Sequence, residues 1–238
     1  MSKLLLHGPS GGGKTHFCVL PVNEQTLVVD TEDRVRDFGV ESKHIIDVDL
    51  STKVEPMKLL TEIQARLQKN KAYTRVVIDS LTNLQVVREF GIDASGRISG
   101  YEGWGKLRAE FMEFVMRLGP LSRAGYDIIC TAQQGEGPDP LFIPITKDLD
   151  PLNYKTPYGN APMIKVPLFD GAFQERVPYY FDWIIYVTEV PSQEKVIHRY
   201  FFERRGMFQA KHPPTATGKV AGWMDDITYV QLQEKLRG

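Results

Sequence analysis

The chain has 238 residues, 42% of them hydrophobic and 25% charged, with a formal net charge of −1. This is the composition of an ordinary folded protein with a sizeable core; no run approaches the ~20 apolar residues of a membrane helix. A near-neutral balance also excludes a protein that grips nucleic acid by bulk positive charge, so any such contact must come from a local patch or from stacking of copies.

The apolar run at the N-terminus is too short for a secretory signal, so a cytoplasmic protein is expected. Residues 3–7 form a short strand leading straight into a glycine-rich loop, and a helix over 14–20 stops at Pro21. Cys18 in that helix and Cys130 further on have neither zinc nor redox spacing and are expected to be small buried residues. Residues 26–30 (TLVVD) and 44–49 (HIIDVD) read as the second and third strands. An amphipathic helix begins near Pro56, where a missing N–H costs little. It runs to about Asn70 with Leu60, Ile63 and Leu67 at helical spacing.

Residues 75–79 (RVVID) are a buried strand, followed by a helix from about 81 to 91. The Gly- and Ser-rich stretch 93–103 is expected to be a mobile loop. A helix over 104–118 puts Leu107, Phe111, Phe114, Val115 and Leu118 on one face, and 127–132 (DIICTA) is another strand. From Gln134 to about Pro178 periodicity is weak and Pro and Gly abound, which implies a long functional or partly disordered loop. Strands over 180–190, 196–204 and 208–211 and a closing helix over 229–236 complete the chain. Alternating strands and helices in the first 133 residues imply a largely parallel sheet with helices on both faces. The β-rich end would extend that sheet within a single α/β domain over 1–238.

The succession Gly8, Pro9, Ser10, Gly11, Gly12, Gly13, Lys14, Thr15 matches the phosphate-binding pattern G-x-x-x-x-G-K-[ST], the P-loop. Glycines let the backbone turn sharply and aim its N–H groups at phosphate oxygens, where a Cβ would intrude. Lys14 is expected to reach the β- and γ-phosphates of ATP, and the Thr15 hydroxyl to ligate Mg²⁺. The start of the following helix, His16 included, presents its positive end to the same anion. A second contact to Mg²⁺ is expected from Asp79, at the C-terminal end of an apolar strand. Glu32, in Asp30-Thr31-Glu32-Asp33, is the candidate base for the attacking water, the alternative being that these carboxylates cap a turn. Gln133 ends a strand and could sense the γ-phosphate, or be an ordinary polar strand end.

The order P-loop, TLVVDTE, VVIDS and a strand ending in Gln before a long loop resembles the RecA ATPase core. It resembles more closely the small phage-encoded RecA-like proteins associated with single-strand annealing and recombination, often described only as phage nucleotide-binding proteins. Trp104 in a helix, Phe181-Asp182 at a strand start and Ala210-Lys211-His212 near the end match features of that family. The resemblance implies a RecA-like P-loop NTPase fold, with Glu32 as the catalytic glutamate and Gln133 linking ATP to a DNA-contacting loop. It also implies that Lys211 enters a neighbouring subunit's ATP site, with Arg204 and Arg205 as rivals for that role. At position 212 the family often has Arg, and here it is His. The sequence starts at the first strand, without the N-terminal polymerisation arm of full-length recombinases, so a short ring or a DNA-dependent assembly is expected as readily as a filament.

Single-stranded DNA is the expected partner, with a homo-oligomer and a single-strand DNA-binding protein as further partners and no membrane. In the host cytoplasm, ATP would order the assembly and slow hydrolysis would release it. Within residues 194–219, Lys195, Arg199, Arg204, Arg205, Lys211 and Lys219 alternate with Tyr200, Phe201, Phe202 and Phe208. Basic groups beside aromatic platforms suit single strands, although aromatic residues in a strand more often fill a core. The loop at 97–101 is a second candidate contact. Two rival functions are an ATP-gated regulatory module with a protein partner and a small P-loop kinase; the latter would need an arginine-rich lid that the sequence does not show.

Overall fold

The structure is a computed structural model. It describes residues 2–48, 55–86, 101–138, 163–169, 173–192, 195–204 and 208–237. Strands β1 (Lys3–Gly8), β2 (Thr26–Asp30), β3 (Ile45–Asp47), β4 (Arg75–Asp79) and β5 (Asp127–Pro138) come first in the chain. Helices α1 (Lys14–Val19), α2 (Pro56–Lys69), α3 (81–86) and α4 (Tyr101–Arg123) run between them. Then follow β6 (Met163–Pro167), α5 (Phe173–Arg176), β7 (Trp183–Val190), β8 (Ile197–Phe201), β9 (Trp223–Asp225) and α6 (Tyr229–Arg237).

The sheet order is β3-β2-β4-β5-β1-β7-β8-β9, with β6 paired to the far end of β5. From β3 to β7 every neighbouring pair is parallel, whereas β6, β8 and β9 attach antiparallel. The architecture is therefore the expected one, a mainly parallel sheet flanked by helices with antiparallel strands added by the C-terminal part.

Period-two side-chain alternation explains why the central strands read as continuous apolar runs. Leu5, Leu27, Val29, Val76, Ile78, Ile128 and Cys130 pack into one core with α2 and α4. Their neighbours Leu4, Leu6, Val28, Val77 and Ile129 face the opposite core, against Phe17 and Cys18 of α1 and Tyr229 and Leu232 of α6. Cys18 and Cys130 are both free and buried, as expected.

Several boundaries differ from the sequence reading. Helix α4 begins at Tyr101, inside the expected loop, and continues through Pro120 to Arg123, because Leu121 extends the buried face of Leu107, Phe111, Phe114 and Leu118 by one more turn. Strand β5 does not stop at Ala132. Residues 134–138 pair with β6, a partner more than twenty residues along the chain that no local pattern reveals. The expected strand over 208–211 is only two isolated bridges, Lys165 to Phe208 and Ile184 to Lys211. The third strand is shorter than expected, β7 starts at Trp183, and the three-residue β9 has no counterpart in the sequence reading. Residues 87–100 and 139–162 lie outside the described residues, and so do most of the loop expected at 93–103 and the middle of the one expected from Gln134.

The end of β1 lies hard against β7. A Cβ on Gly8 would sit 2.0 Å from the carbonyl oxygen of Val187, so only glycine permits this approach. Gly8→Ala is expected to destabilise the protein by about 1–3 kcal/mol through overpacking against backbone. A denaturant melt checks this, and an unchanged midpoint would mean that the two strands separate without cost.

Candidate nucleotide site

The carboxyl ends of β1, β2 and β4 lie level with Gln133 inside β5, and the loop after β1 starts there. Gly11 and Gly13 have φ of 79° and 88°, left-handed values that glycine adopts without a steric penalty. Gly13 precedes α1, and the Gly12 N–H donates to the Pro9 carbonyl at 3.2 Å, closing the loop on itself. Lys14 Nζ donates to the carbonyl oxygens of Gly8 (2.9 Å) and Pro9 (2.7 Å). Burial lowers the Lys14 pKa below the usual lysine range, while the nearby Asp79 and Glu32 carboxylates pull it back up. The amine is thus a partly desolvated cation facing two carboxylates, held within the loop.

Thr15 Oγ1 donates to Asp79 Oδ2 at 2.7 Å, which unites the two expected Mg²⁺ ligands. Thr131 on β5 donates to the other Asp79 oxygen. Asp79 is buried, and burial raises its carboxyl pKa, with the Thr131 and Thr15 hydrogen bonds opposing. Glu32 lies in the same cleft as Lys14, Thr15 and Asp79. Ser80 Oγ donates to Glu32 Oε1 at 2.7 Å, and the Glu32 N–H donates to Asp30 Oδ1 at 3.0 Å. Asp30 also accepts from the Val35 N–H, so this residue caps the turn and leaves Glu32 free to face the cleft.

Gln133 follows Ala132 on β5, directly opposite Gly8 of β1, and also lines the cleft. Its backbone N–H donates to Thr82 Oγ1, which donates in turn to the Leu168 carbonyl, and the Leu168 N–H returns to the Gln133 carbonyl. The segment beside β6 thus hangs directly from the expected sensor position.

Other candidates lie elsewhere. Lys211 exchanges backbone hydrogen bonds with Ile184 and stands near Lys3 and Asp182, at the end of β1 away from the P-loop. The fold does not bring it to this chain's own phosphate site. Arg204 is half-buried beyond β8. Arg205 and residues 97–100 lie outside the described residues, and Tyr101 opens α4.

In the basic segment, Arg199 makes a two-pronged contact to Asp225 (2.7 and 2.9 Å) and lies 3.8 Å over the Trp223 ring. Lys195 pairs with Asp226 at 2.8 Å, and Lys219 donates to the Leu236 carbonyl. Tyr200 and Phe202 are fully buried, while Phe201 and Phe208 pack on each other and on Tyr186.

Sequence reasoning missed the parts played by Ser80, Thr131 and Tyr200, while Asp30 takes the turn-capping role that was the alternative for its segment. Ser80 follows Asp79 directly, so adjacency to a candidate was the available signal. Thr131 had only its place inside a buried strand, where a hydroxyl needs a partner. Tyr200 had no local signal: its hydroxyl donates to the Gly13 carbonyl at 3.0 Å across 187 positions.

These residues fit a nucleoside triphosphate and a hard divalent cation. Gly11 and Gly13 turn the loop with left-handed φ, its lysine is a partly desolvated cation, and a hydroxyl–carboxylate pair supplies oxygen donors. Fold and site together define a P-loop nucleotide-binding protein built on a mainly parallel sheet. More particularly, a family model described as an AAA domain matches residues 2–140, and the chain belongs to that family. No curated protein sequence matches it. Among solved structures it is similar to the KaiC-like protein of the hyperthermophilic archaeon Pyrococcus horikoshii OT3. The identity is 16% and the TM-score 0.46, over 89% of this chain and 81% of that one. Among the described residues no helix is long and apolar enough to cross a membrane.

His7, one residue before the loop, is fully buried, and its Nε2–H donates to the Gln209 carbonyl at 2.7 Å. Burial lowers its pKa to about 4, with the charge on Lys14 adding to the effect. Because the folded pKa lies below the unfolded one, the His7 contribution to stability is complete above about pH 6.5. It is lost as pH falls through that window towards 4, a total of about 3 kcal/mol. Asp79, with its raised pKa, acts in the opposite sense. Comparing unfolding free energies of the wild type and His7→Gln across pH 4–7 isolates the term: the variant is expected to lose this slope. Equal slopes would show that His7 does not titrate as the buried neutral form.

Proposed function

We propose that this protein hydrolyses ATP with Mg²⁺ and couples slow turnover to single-stranded DNA in phage-type recombination or strand annealing. The observation that carries the hydrolytic part is the placement of Glu32, oriented by Ser80, in one cleft with Lys14, Thr15 and Asp79. The residues from Gly8 to His16 would bind the triphosphate, with Lys14 neutralising its β- and γ-oxygens. Thr15 and Asp79 would hold Mg²⁺, which when bound offsets charge on the phosphate oxygens. Glu32 would accept the proton of the attacking water, and Gln133 would report the terminal phosphate to the segment that follows.

The DNA part rests on the family resemblance and on the attachment of β6 and Leu168 to Gln133. Assembly of copies would let Lys211, or Arg204 or Arg205, act on a neighbour's nucleotide, and a single-strand DNA-binding protein is a further partner of this reading. A second reading, an ATP-gated module whose partner is a protein, gains support from the engagement of Lys195 and Arg199 with acidic neighbours. That engagement leaves them fewer free charges for phosphate.

ATP turnover with and without single-stranded DNA, at two salt concentrations and beside Lys14→Ala, separates the two readings. The DNA reading expects stimulation that weakens at the higher salt and is absent in the variant. Absence of both stimulation and DNA binding in the presence of ATP leaves the protein-partner module.

A further inference from the structure

The cleft has a second end that the catalytic groups do not use. In sheet order, Glu32 just beyond β2, Asp79 of β4 and Gln133 of β5 all lie on one side of β1, whereas β7 and β8 lie on the other. If the terminal phosphate faces Glu32 and the loop after β1 cradles the phosphates, the nucleoside must leave towards the β7–β8 flank. His198 of β8 stands there and lines the same cleft as Lys14 and Thr15.

The position of His198 is built rather than incidental. A Cβ on Gly13 would lie 2.6 Å from the His198 ring, so the last loop glycine makes room for this imidazole as well as for its own φ. The His198 backbone N–H donates to Asp226 Oδ1 at 2.9 Å, which fixes this point of β8, and Lys195 holds the other Asp226 oxygen. Two residues along β8, Tyr200 ties the strand to the Gly13 carbonyl. The His16 ring, on the first turn of α1, is stacked with His198 at 5.9 Å and 28°. The side chain of His198 remains 24% exposed, enough to present a ring surface to a ligand.

We propose that His198 is a nucleotide-contacting residue that engages the ribose and base of a nucleoside triphosphate, an inference that rests on the ATP reading above. An imidazole packed against Gly13 and the His16 ring offers a flat aromatic surface at little entropic cost, and bases stack on such surfaces whatever their sequence context. The site then distinguishes a nucleoside triphosphate from a bare polyphosphate at its β8 end, independently of hydrolysis at its β2 end.

The test is equilibrium binding of ATP and of inorganic tripolyphosphate, each with Mg²⁺, to the wild type, His198→Ala and His198→Phe. His198→Ala is expected to weaken ATP about tenfold, the scale of one base–aromatic stack, and to leave tripolyphosphate within about twofold. His198→Phe is expected to retain most of the ATP affinity, because it keeps the ring. Equal losses for both ligands would mean that His198 only shapes the loop through Gly13, and an unchanged ATP affinity would seat the nucleoside elsewhere, such as on Phe38 across the cleft; either overturns the proposal. A wild type that binds tripolyphosphate and ATP equally well also overturns it. A wild type that binds neither overturns the ATP reading itself, so the two failures are distinguishable.

Discussion

Glu32→Gln is expected to lower the ATP turnover rate by about 10²–10⁴-fold while leaving nucleotide affinity within a few-fold of the wild type. The substitution keeps the shape of the side chain, and Ser80 Oγ can still donate to the amide oxygen as it does to Oε1. What disappears is the negative charge and with it the capacity to accept a proton from water. The backbone contacts that shape this turn belong to Asp30, which accepts from the Glu32 and Val35 N–H groups, so the turn should survive the change. Single-turnover hydrolysis and equilibrium binding measured side by side separate chemistry from affinity. Turnover within tenfold of the wild type would reduce Glu32 to a polar turn residue and send the search for a base to other groups in the cleft.

Lys14→Ala is expected to weaken ATP by at least about tenfold and to bring hydrolysis below detection. A hydrogen bond to a charged group contributes roughly 1.5–3 kcal/mol, and this amine is expected to contact two phosphate groups at once. The change also leaves Asp79 and Glu32 without the cation whose field they share, and frees the Gly8 and Pro9 carbonyls that the amine now bridges. The loss should therefore be larger for the triphosphate than for the diphosphate, since the terminal phosphate is the one expected to face those two carboxylates. Calorimetric titration with both nucleotides reads this directly. Equal affinities of variant and wild type for ATP would remove the P-loop from the nucleotide site.

The parts of this protein that were legible in its sequence are those whose chemistry is local. An eight-residue phosphate loop needs its glycines, lysine and threonine in consecutive register, because one short turn must satisfy one anion. β2 and β4 were legible to the residue because both faces of a central parallel strand are buried, which writes an uninterrupted apolar run ending in a carboxylate. Asp79 and Glu32 could be read as candidates for the same reason, each closing such a run or standing two residues beyond it. Boundaries failed where a distant partner set them. β5 continues past Ala132 because β6 pairs with it, and α4 passes Pro120 because the core takes one more leucine.

Tertiary structure alone decided which groups complete the site. Ser80 and Thr131 acquire their parts from hydrogen bonds to side chains 48 and 52 positions away. Lys195 and Arg199, which look like free positive charges in sequence, lie beside Asp226 and Asp225 once β8 and β9 pair. His198 and Tyr200 meet the last loop glycine only because β7 joins β1 in parallel and β8 folds back on β7. A linear pattern records what one residue demands of its neighbours along the chain. The hydrogen bond, the ion pair and the steric fit that bind one strand's side chains to another's act across space, so only the folded sheet determines them.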